Sequence, residues 1–419
     1  MMRRPSILTL LICLPLAGQV PPTPPVPMPH KIGGRYVTVI THQLKISQMA
    51  TLVMKDLRGD IDLQGTGNNQ IVIEETIRVK AGSASSAQEL IQDLMGELQS
   101  GFGDNTYTFK VAQTTRRNVY YGYKVAVPRK SNVVLHSYGG DIELADLQGD
   151  LEVKNGGGDI DLFDLAGNIK IHTGGGDIDG LNLEGLVNLF SGGGDIQVRT
   201  IEGRFSVKTG GGDIDFSDGT GDFTLQTGGG DINLHSLEGP ELEARTGGGD
   251  ITVRAIIAKV LLLTGGGDIS VEELTGELEA TTGGGDLDLR QIQGDMVIST
   301  GAGDVDIRHT TGSVRVNSGH GDISIIGMSL DKPGQGESTI TTGSGDVYIN
   351  VSNKNPVDII ARIKGHSPRW GIKRIHSNRE LDFHGENNQT VGVLETEHPF
   401  HRIIIETGDG EIEIILGED

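Results

Sequence analysis

Eleven aspartates mark a fixed step along this chain: Asp141, Asp159, Asp177, Asp195, Asp213, Asp231, Asp250, Asp268, Asp286, Asp304 and Asp322. Every step is 18 residues except the one to Asp250, which is 19, with Pro240 as the extra residue. A period of this size means one small structural unit stacked on copies of itself, since a single unit cannot bury its own apolar face. Few folds satisfy that constraint.

Within each repeat, an aliphatic residue follows the aspartate and usually recurs two further on, as in Ile160 and Leu162. Alternation with period two puts this pair on one face of a strand and Asp159 with Asp161 on the other. Nine residues after each aspartate a second strand opens behind a glycine, as in Gly149-Asp150-Leu151-Glu152-Val153 and Gly203-Arg204-Phe205-Ser206-Val207. The spacing predicts two strand-plus-turn units per 18-residue coil, stacked in parallel at about 4.8 Å around an aliphatic core. Leu147, Leu165, Leu183, Ile201, Leu237, Leu274 and Ile292, six after their aspartates, fill the bend. The fold class is all-β: a parallel β-helix, or β-solenoid.

The repeats also sort the glycines of the Gly-Gly-Gly-Asp turn. Its middle glycine becomes Ala302, His320 and Ser344 in late coils, so that position accepts a side chain. The outer two stay glycine from Gly156 and Gly158 to Gly343 and Gly345. They need either positive φ or close stacking of turns. A phosphate cradle would open a helix, whereas these turns open a strand. The aspartate is expected to accept N–H bonds from its own turn. The threonine row before the glycines, Thr173 to Thr300, is expected to serve ladder hydrogen bonding and β-propensity.

The organisation reads as follows. Residues 1–18 are a signal peptide, with Arg3 and Arg4, an apolar stretch from Ile7 to Leu16, and small residues Ala17-Gly18. That stretch is too short to span a bilayer, which takes about 20 residues. Cleavage there removes Cys13, the one cysteine, and with it any thiol chemistry. Residues 19–30 are a Pro-rich spacer. Residues 31–132 form a β-rich region with a helix over 85–98, residues 133–351 the solenoid, and residues 352–419 a C-terminal β cap. Both flanks cap the stack, because an open end exposes strand edges. No later segment is long and apolar enough to span a membrane, which makes the product periplasmic, secreted or held at the cell surface. A net charge of −22 argues against nucleic acid and anionic lipid as partners.

The run Tyr123-Lys124-Val125-Ala126-Val127-Pro128, then Val133-Val134-Leu135 and Gly140-Asp141-Ile142-Glu143-Leu144, resembles a bacterial family, as do the later Gly-Asp-Ile strand starts. These are the exported β-strand-repeat proteins called "putative adhesins", a domain of unknown function. The resemblance runs from about residue 36 to the C-terminus. It implies a right-handed parallel β-helix in an envelope or secreted protein, and it supplies no catalytic residues.

Stacking gathers equivalent side chains into rows. At the aspartate position and two residues on, 17 of 22 side chains from Asp141 to Ser324 are acidic and none is basic. Neighbours about 4.8 Å apart repel by roughly 0.9 kcal/mol per pair in water, so something must offset them. One reading is structural, with turn hydrogen bonds helped by Arg199, Arg254, Arg290 and Arg308, each four after its aspartate. A second places Ca2+ between the rows, with Asp159, Asp161, Asp177, Asp179, Asp213, Asp215, Asp286, Asp288, Asp304 and Asp306 as ligands. The Gly-rich calcium rolls set aspartate two after the last glycine, whereas here it follows directly. A third is polysaccharide chemistry on an acidic sheet face, but a residue demanded by every coil is poor evidence for one active site. Outside the repeats, Arg369, Trp370, Lys373 and Arg374 form a basic cluster holding the one tryptophan, a candidate partner anchor. The expectation is a non-enzymatic exported solenoid without cofactor, acting as an adhesin-like or envelope scaffold module on an envelope, matrix or surface ligand. The alternatives are a Ca2+-binding surface protein and a polysaccharide-active enzyme.

Overall fold

A computed structural model describes residues 23–46, 49–100, 105–111, 118–330, 336–352, 356–364, 371–386, 389–397 and 399–417. The expected signal peptide over residues 1–18, Arg369 and Trp370 lie outside the described residues. The chain divides into two compact units, Met1–Gly174 and Gly175–Asp419. Among the described residues, no helix is long and apolar enough to cross a membrane.

In the first unit, strand Ile142–Asn155 pairs in parallel with Ile160–Thr173, with Ile142 opposite Ile160 and Leu151 opposite Ile169. The 18-residue step is therefore the register itself. An early copy of the motif, Gly59-Asp60-Ile61-Asp62-Leu63, belongs to the same stack, since Ile61 and Leu63 of Asp60–Thr66 lie opposite Ile142 and Leu144. Ala50–Leu57 stacks in the same way on Ser131–Ser137. Between these matching strands the chain leaves the stack. Arg35–Lys45, Gln70–Val79 and Val119–Pro128 form an antiparallel sheet, whose last strand also runs parallel to Asp60–Thr66. Thus the irregular region caps the stack, and the stack begins about 80 residues earlier than its 18-residue rhythm does.

The helix spans Ala84–Leu94, shorter than the expected 85–98. The Ser83 side chain caps its start by accepting the Ser86 N–H at 3.1 Å. Met95 is already extended at the helix end, and Gly96 then passes the Phe109 ring, where a Cβ would lie 2.2 Å from the ring tip. Leu98 is buried in the next strand, Glu97–Ser100, and not on the helix.

In the second unit the coils from Ile178 to Thr264 are each one long bent strand of 14 or 15 residues. From Ile269 each coil divides into two shorter strands, as in Ile269–Thr275 and Leu278–Thr282. The extra residue near Pro240 is absorbed as a bulge opposite Thr220–Phe223. The core follows the alternation: Ile196, Val198, Ile201, Phe205 and Val207 are at most 4% exposed. Where Gly219 takes the bend position, the Ile201 side chain of the preceding coil occupies the space, and nearby the Phe216 and Phe223 rings lie 5.9 and 6.0 Å from that of Phe205.

The C-terminal segment differs from a simple cap. His401–Thr407 stacks on Gly336–Thr342, and Ile412–Gly417 on Val347–Ser352, so this segment is a further coil. Val357–Lys364 and Ile375–Ser377 then lie on its far side. An antiparallel meander through Gln389–Leu394 and Asp382–Glu386 borders that last layer. Chain order and spatial order part here, because a late segment completes the stack before the cap.

Candidate functional site

The Gly-Gly-Gly-Asp turn was the natural candidate, and its geometry gives it a structural role. A Cβ at the first glycine would lie 2.1–2.4 Å from a carbonyl oxygen one coil back, as at Gly210 and Gly228. At the third glycine it would also meet an aspartate Oδ1, 2.6 Å away at Gly194, Gly212 and Gly230. The middle glycine faces open space. Close stacking, more than positive φ, therefore fixes the outer pair.

Each turn aspartate accepts a backbone N–H from the aspartate one coil on, and not from its own turn as expected. From Asp195 to Asp346 these bonds measure 2.7–2.8 Å. A hydrogen bond to a charged group contributes about 1.5–3 kcal/mol, more than the roughly 0.9 kcal/mol of repulsion between neighbouring carboxylates. The row is thus a ladder running along the stack. The threonines point inward and are at most 6% exposed. Thr282 Oγ1 donates to the Gly267 carbonyl at 2.8 Å and accepts the Gly285 N–H at 3.0 Å, pinning two consecutive turns.

The remaining sequence candidates disperse. Asp177, Asp213, Asp286 and Asp304 hold the ladder. Asp288 pairs with Arg290, and Asp306 with Arg308, on the exposed wall. Asp159, Asp161 and Asp179 each have partners of their own, and Asp215 stands opposite Gln197 and Asn233 in its row. Among the described residues, no three acidic or histidine side chains converge as metal ligands. Lys373 and Arg374 sit in the short 3-10 turn Ile372–Arg374, where the Arg374 guanidinium donates to Asp409 at 2.8 Å.

Sequence reading missed a buried polar cluster in the first unit. Glu75 is fully buried, accepts the Gly96 N–H at 2.8 Å and lies 3.6 Å from His42 Nε2. Burial, then the charge of Glu75, pushes the Tyr121 hydroxyl up to about 12 and that of Tyr123 well above its usual range. The available signal was a carboxylate at an inward position of Ile71-Ile73-Glu75-Ile77-Val79. The cluster is sealed from solvent, so its role is to tie the helix exit to the sheet.

The other missed feature is a groove. Five residues after each turn aspartate the chain bends in the left-handed region without glycine, from Asp146 to His309, with φ between 53° and 62°. In the second unit the late corner residues Ala255, Glu273, Gln291 and His309, followed by Gly327, line an open groove of about 710 Å3. Two residues on, Ile257, Thr275, Gln293, Thr311 and Ser329 form a second row, each opposite the next in register. Buried Ile256, Leu274 and Thr310 make the floor. Beyond Ala255, Ile256 and Ile257, which belong to the undivided strand Ile251–Thr264, the groove lies on coils that divide into two strands, with Gly276, Gly294 and Gly312 at the divisions.

No curated protein matches the chain. Among solved structures, a "putative cell adhesion protein" from Clostridium sporogenes is similar at 8% identity, covering 91% of this chain and 100% of that one, with a TM-score of 0.17. A "putative adhesin" from Bacteroides fragilis is similar at 10% identity, covering 90% of this chain and 97% of that one, with a TM-score of 0.18. Residues 196–296 match the model of the family described as Toastrack DUF4097, a domain of unknown function, and the resemblance read from the Gly-Asp-Ile repeats is borne out there.

Proposed function

We propose that this chain is an exported, non-enzymatic, adhesin-like module that presents a rigid solenoid wall to a ligand in the envelope, the surrounding matrix or another surface. The observation that carries this reading is the groove over five consecutive coils, open to solvent and built on a hydrogen-bonded scaffold. Its corner and rim positions are free to vary, because the turns and the core supply the stability. The acidic rows support the same reading, since turn carboxylates from Asp177 to Asp322 accept backbone N–H bonds and Asp288 and Asp306 pair with Arg290 and Arg308. Export is supported by the N-terminal basic and apolar run.

The test is saturable retention of the full chain on immobilised envelope and matrix fractions, with soluble cell protein as the comparison. Retention on the former alone is expected. Equal retention on every fraction, or on none, overturns the reading. Release of reducing or unsaturated ends from polysaccharides by the purified chain overturns its non-enzymatic part.

A further inference from the structure

We infer that the groove of the second unit takes an uncharged, extended polysaccharide chain lying along the stacking direction. This rests on the adhesin-like reading and gives it a ligand class. Charge is the first argument. In the early coils of this unit the second row reads Glu184, Glu202, Thr220 and Glu238, three of four acidic. In the groove the same row reads Ile257, Thr275, Gln293, Thr311 and Ser329, with no charge at all. The corner row shows no such change: it carries one carboxylate in the early coils, Asp218 beside Asn182, Thr200 and Ser236, and one in the groove, Glu273 beside Ala255, Gln291 and His309. Amide and hydroxyl groups both donate and accept hydrogen bonds, which suits a polyhydroxylated neutral ligand and gives a fixed charge no partner.

Spacing is the second argument. The rows repeat once per coil, about 4.8 Å, so five coils offer about 19 Å of equivalent positions. A pyranose chain advances by about one ring per coil and meets equivalent groups at each step. An extended peptide repeats at about 3.3–3.4 Å per residue and falls out of register within two coils. Ile257, exposed at one end of the groove, supplies apolar contact for a ring face.

The experiment is calorimetric titration of the full chain with neutral hexasaccharides, α- and β-linked, beside their trisaccharides and an oligogalacturonate of equal length. Saturable binding of a neutral hexasaccharide is expected, weaker for its trisaccharide and absent for the oligogalacturonate. Thr275 and Gln293 are exposed, so Thr275→Ala with Gln293→Ala should keep the melting midpoint and weaken binding by roughly tenfold or more. Glu184→Gln with Glu202→Gln, in the same row outside the groove, should leave binding unchanged. No binding of any neutral hexasaccharide overturns the proposal, as does binding that ignores the Thr275 and Gln293 changes. Capture of an extended peptide through those two residues, without glycan binding, overturns it as well. If the chain holds to envelope fractions yet binds no hexasaccharide, the groove assignment fails and the adhesin-like reading stands. Hexasaccharide binding without envelope retention gives the reverse.

Discussion

Substituting neighbouring glycines of one turn separates stacking from conformational freedom. At Gly230 a Cβ would lie 2.2 Å from the Gly212 oxygen, 2.5 Å from its carbon and 2.6 Å from Asp213 Oδ1. Ordinary contact begins at 3.4 Å, so Gly230→Ala forces the two coils apart by about 1 Å at this turn. That opening breaks the 2.7 Å bond from the Asp231 N–H to Asp213 and strains the 2.9 Å bond from the Ile214 N–H to the Asp231 carbonyl. Overpacking costs about 1–3 kcal/mol, and losing a bond to a charged acceptor about 1.5–3 kcal/mol. The expected cost is about 3–5 kcal/mol. One residue earlier, a Cβ on Gly229 meets nothing within 4 Å. Gly229→Ala should be neutral or stabilise by about 0.4–1 kcal/mol, through the entropy of the unfolded chain. Urea unfolding followed by circular dichroism reads the difference in midpoint. Hydrogen exchange should place the damage in strands Ile214–Thr227 and Ile232–Thr246, since a solenoid's coils contact their neighbours. Equal midpoints for the two variants would refute the stacking argument, as would exchange damage spread evenly over all coils.

Four further outcomes follow from the same geometry. Thr200 is β-branched at φ 57°, so Thr200→Asn should stabilise by about 1 kcal/mol in urea unfolding, because asparagine tolerates that region. Thr282→Val leaves the Gly267 carbonyl and the Gly285 N–H without their buried partner, and should cost about 1–3 kcal/mol in the same assay. Burial pushes the His401 imidazole below its usual range, with Asp295 and Glu337 opposing, and its Nε2 lies 2.9 Å from Ser338 Oγ. A folded-state pKa below the unfolded one means stability that is present above about 6.5 and lost as pH falls further. The melting midpoint should therefore drop between about pH 7 and 5, and by less in His401→Gln. EDTA and millimolar Ca2+ should each leave the melting midpoint unmoved, because the turn carboxylates already accept backbone N–H bonds. A rise with Ca2+ would reinstate the calcium reading.

What the sequence made legible is whatever every coil repeats. The 18-residue step, the inward residues from Leu147 to Ile292 and the tolerant middle glycine all recur, so comparison among coils exposes them before any coordinates do. The partner of the turn aspartate was not legible, because period alone cannot tell a bond within one turn from a bond to the next coil. The left-handed corner was hidden for a different reason. Its residues range over Asp, Asn, Thr, Ser, Ala, Glu, Gln and His, and only Gly327 carries the residue that usually signals positive φ. Stacking on both sides holds that conformation against a local cost of about 1–2 kcal/mol per residue, so the Asp146, Asp164, Asn182 and Asp218 that suit it are not required at the other corners. The early stack at Asp60 and the late coil at His401–Gly417 were obscured by long excursions between paired strands.

The same reasoning locates where function resides. A repeated residue answers to the coil, and the turn aspartates, outer glycines and inward threonines are all accounted for by bonds between coils. A ligand must instead be recognised where the repeat is broken. The second row satisfies that condition from Ile257 to Ser329, where the glutamates of earlier coils give way to uncharged residues and, from Ile269 on, each coil divides into two strands. Regularity fixes the scaffold, and departure from it along one wall marks the surface on which a partner can act.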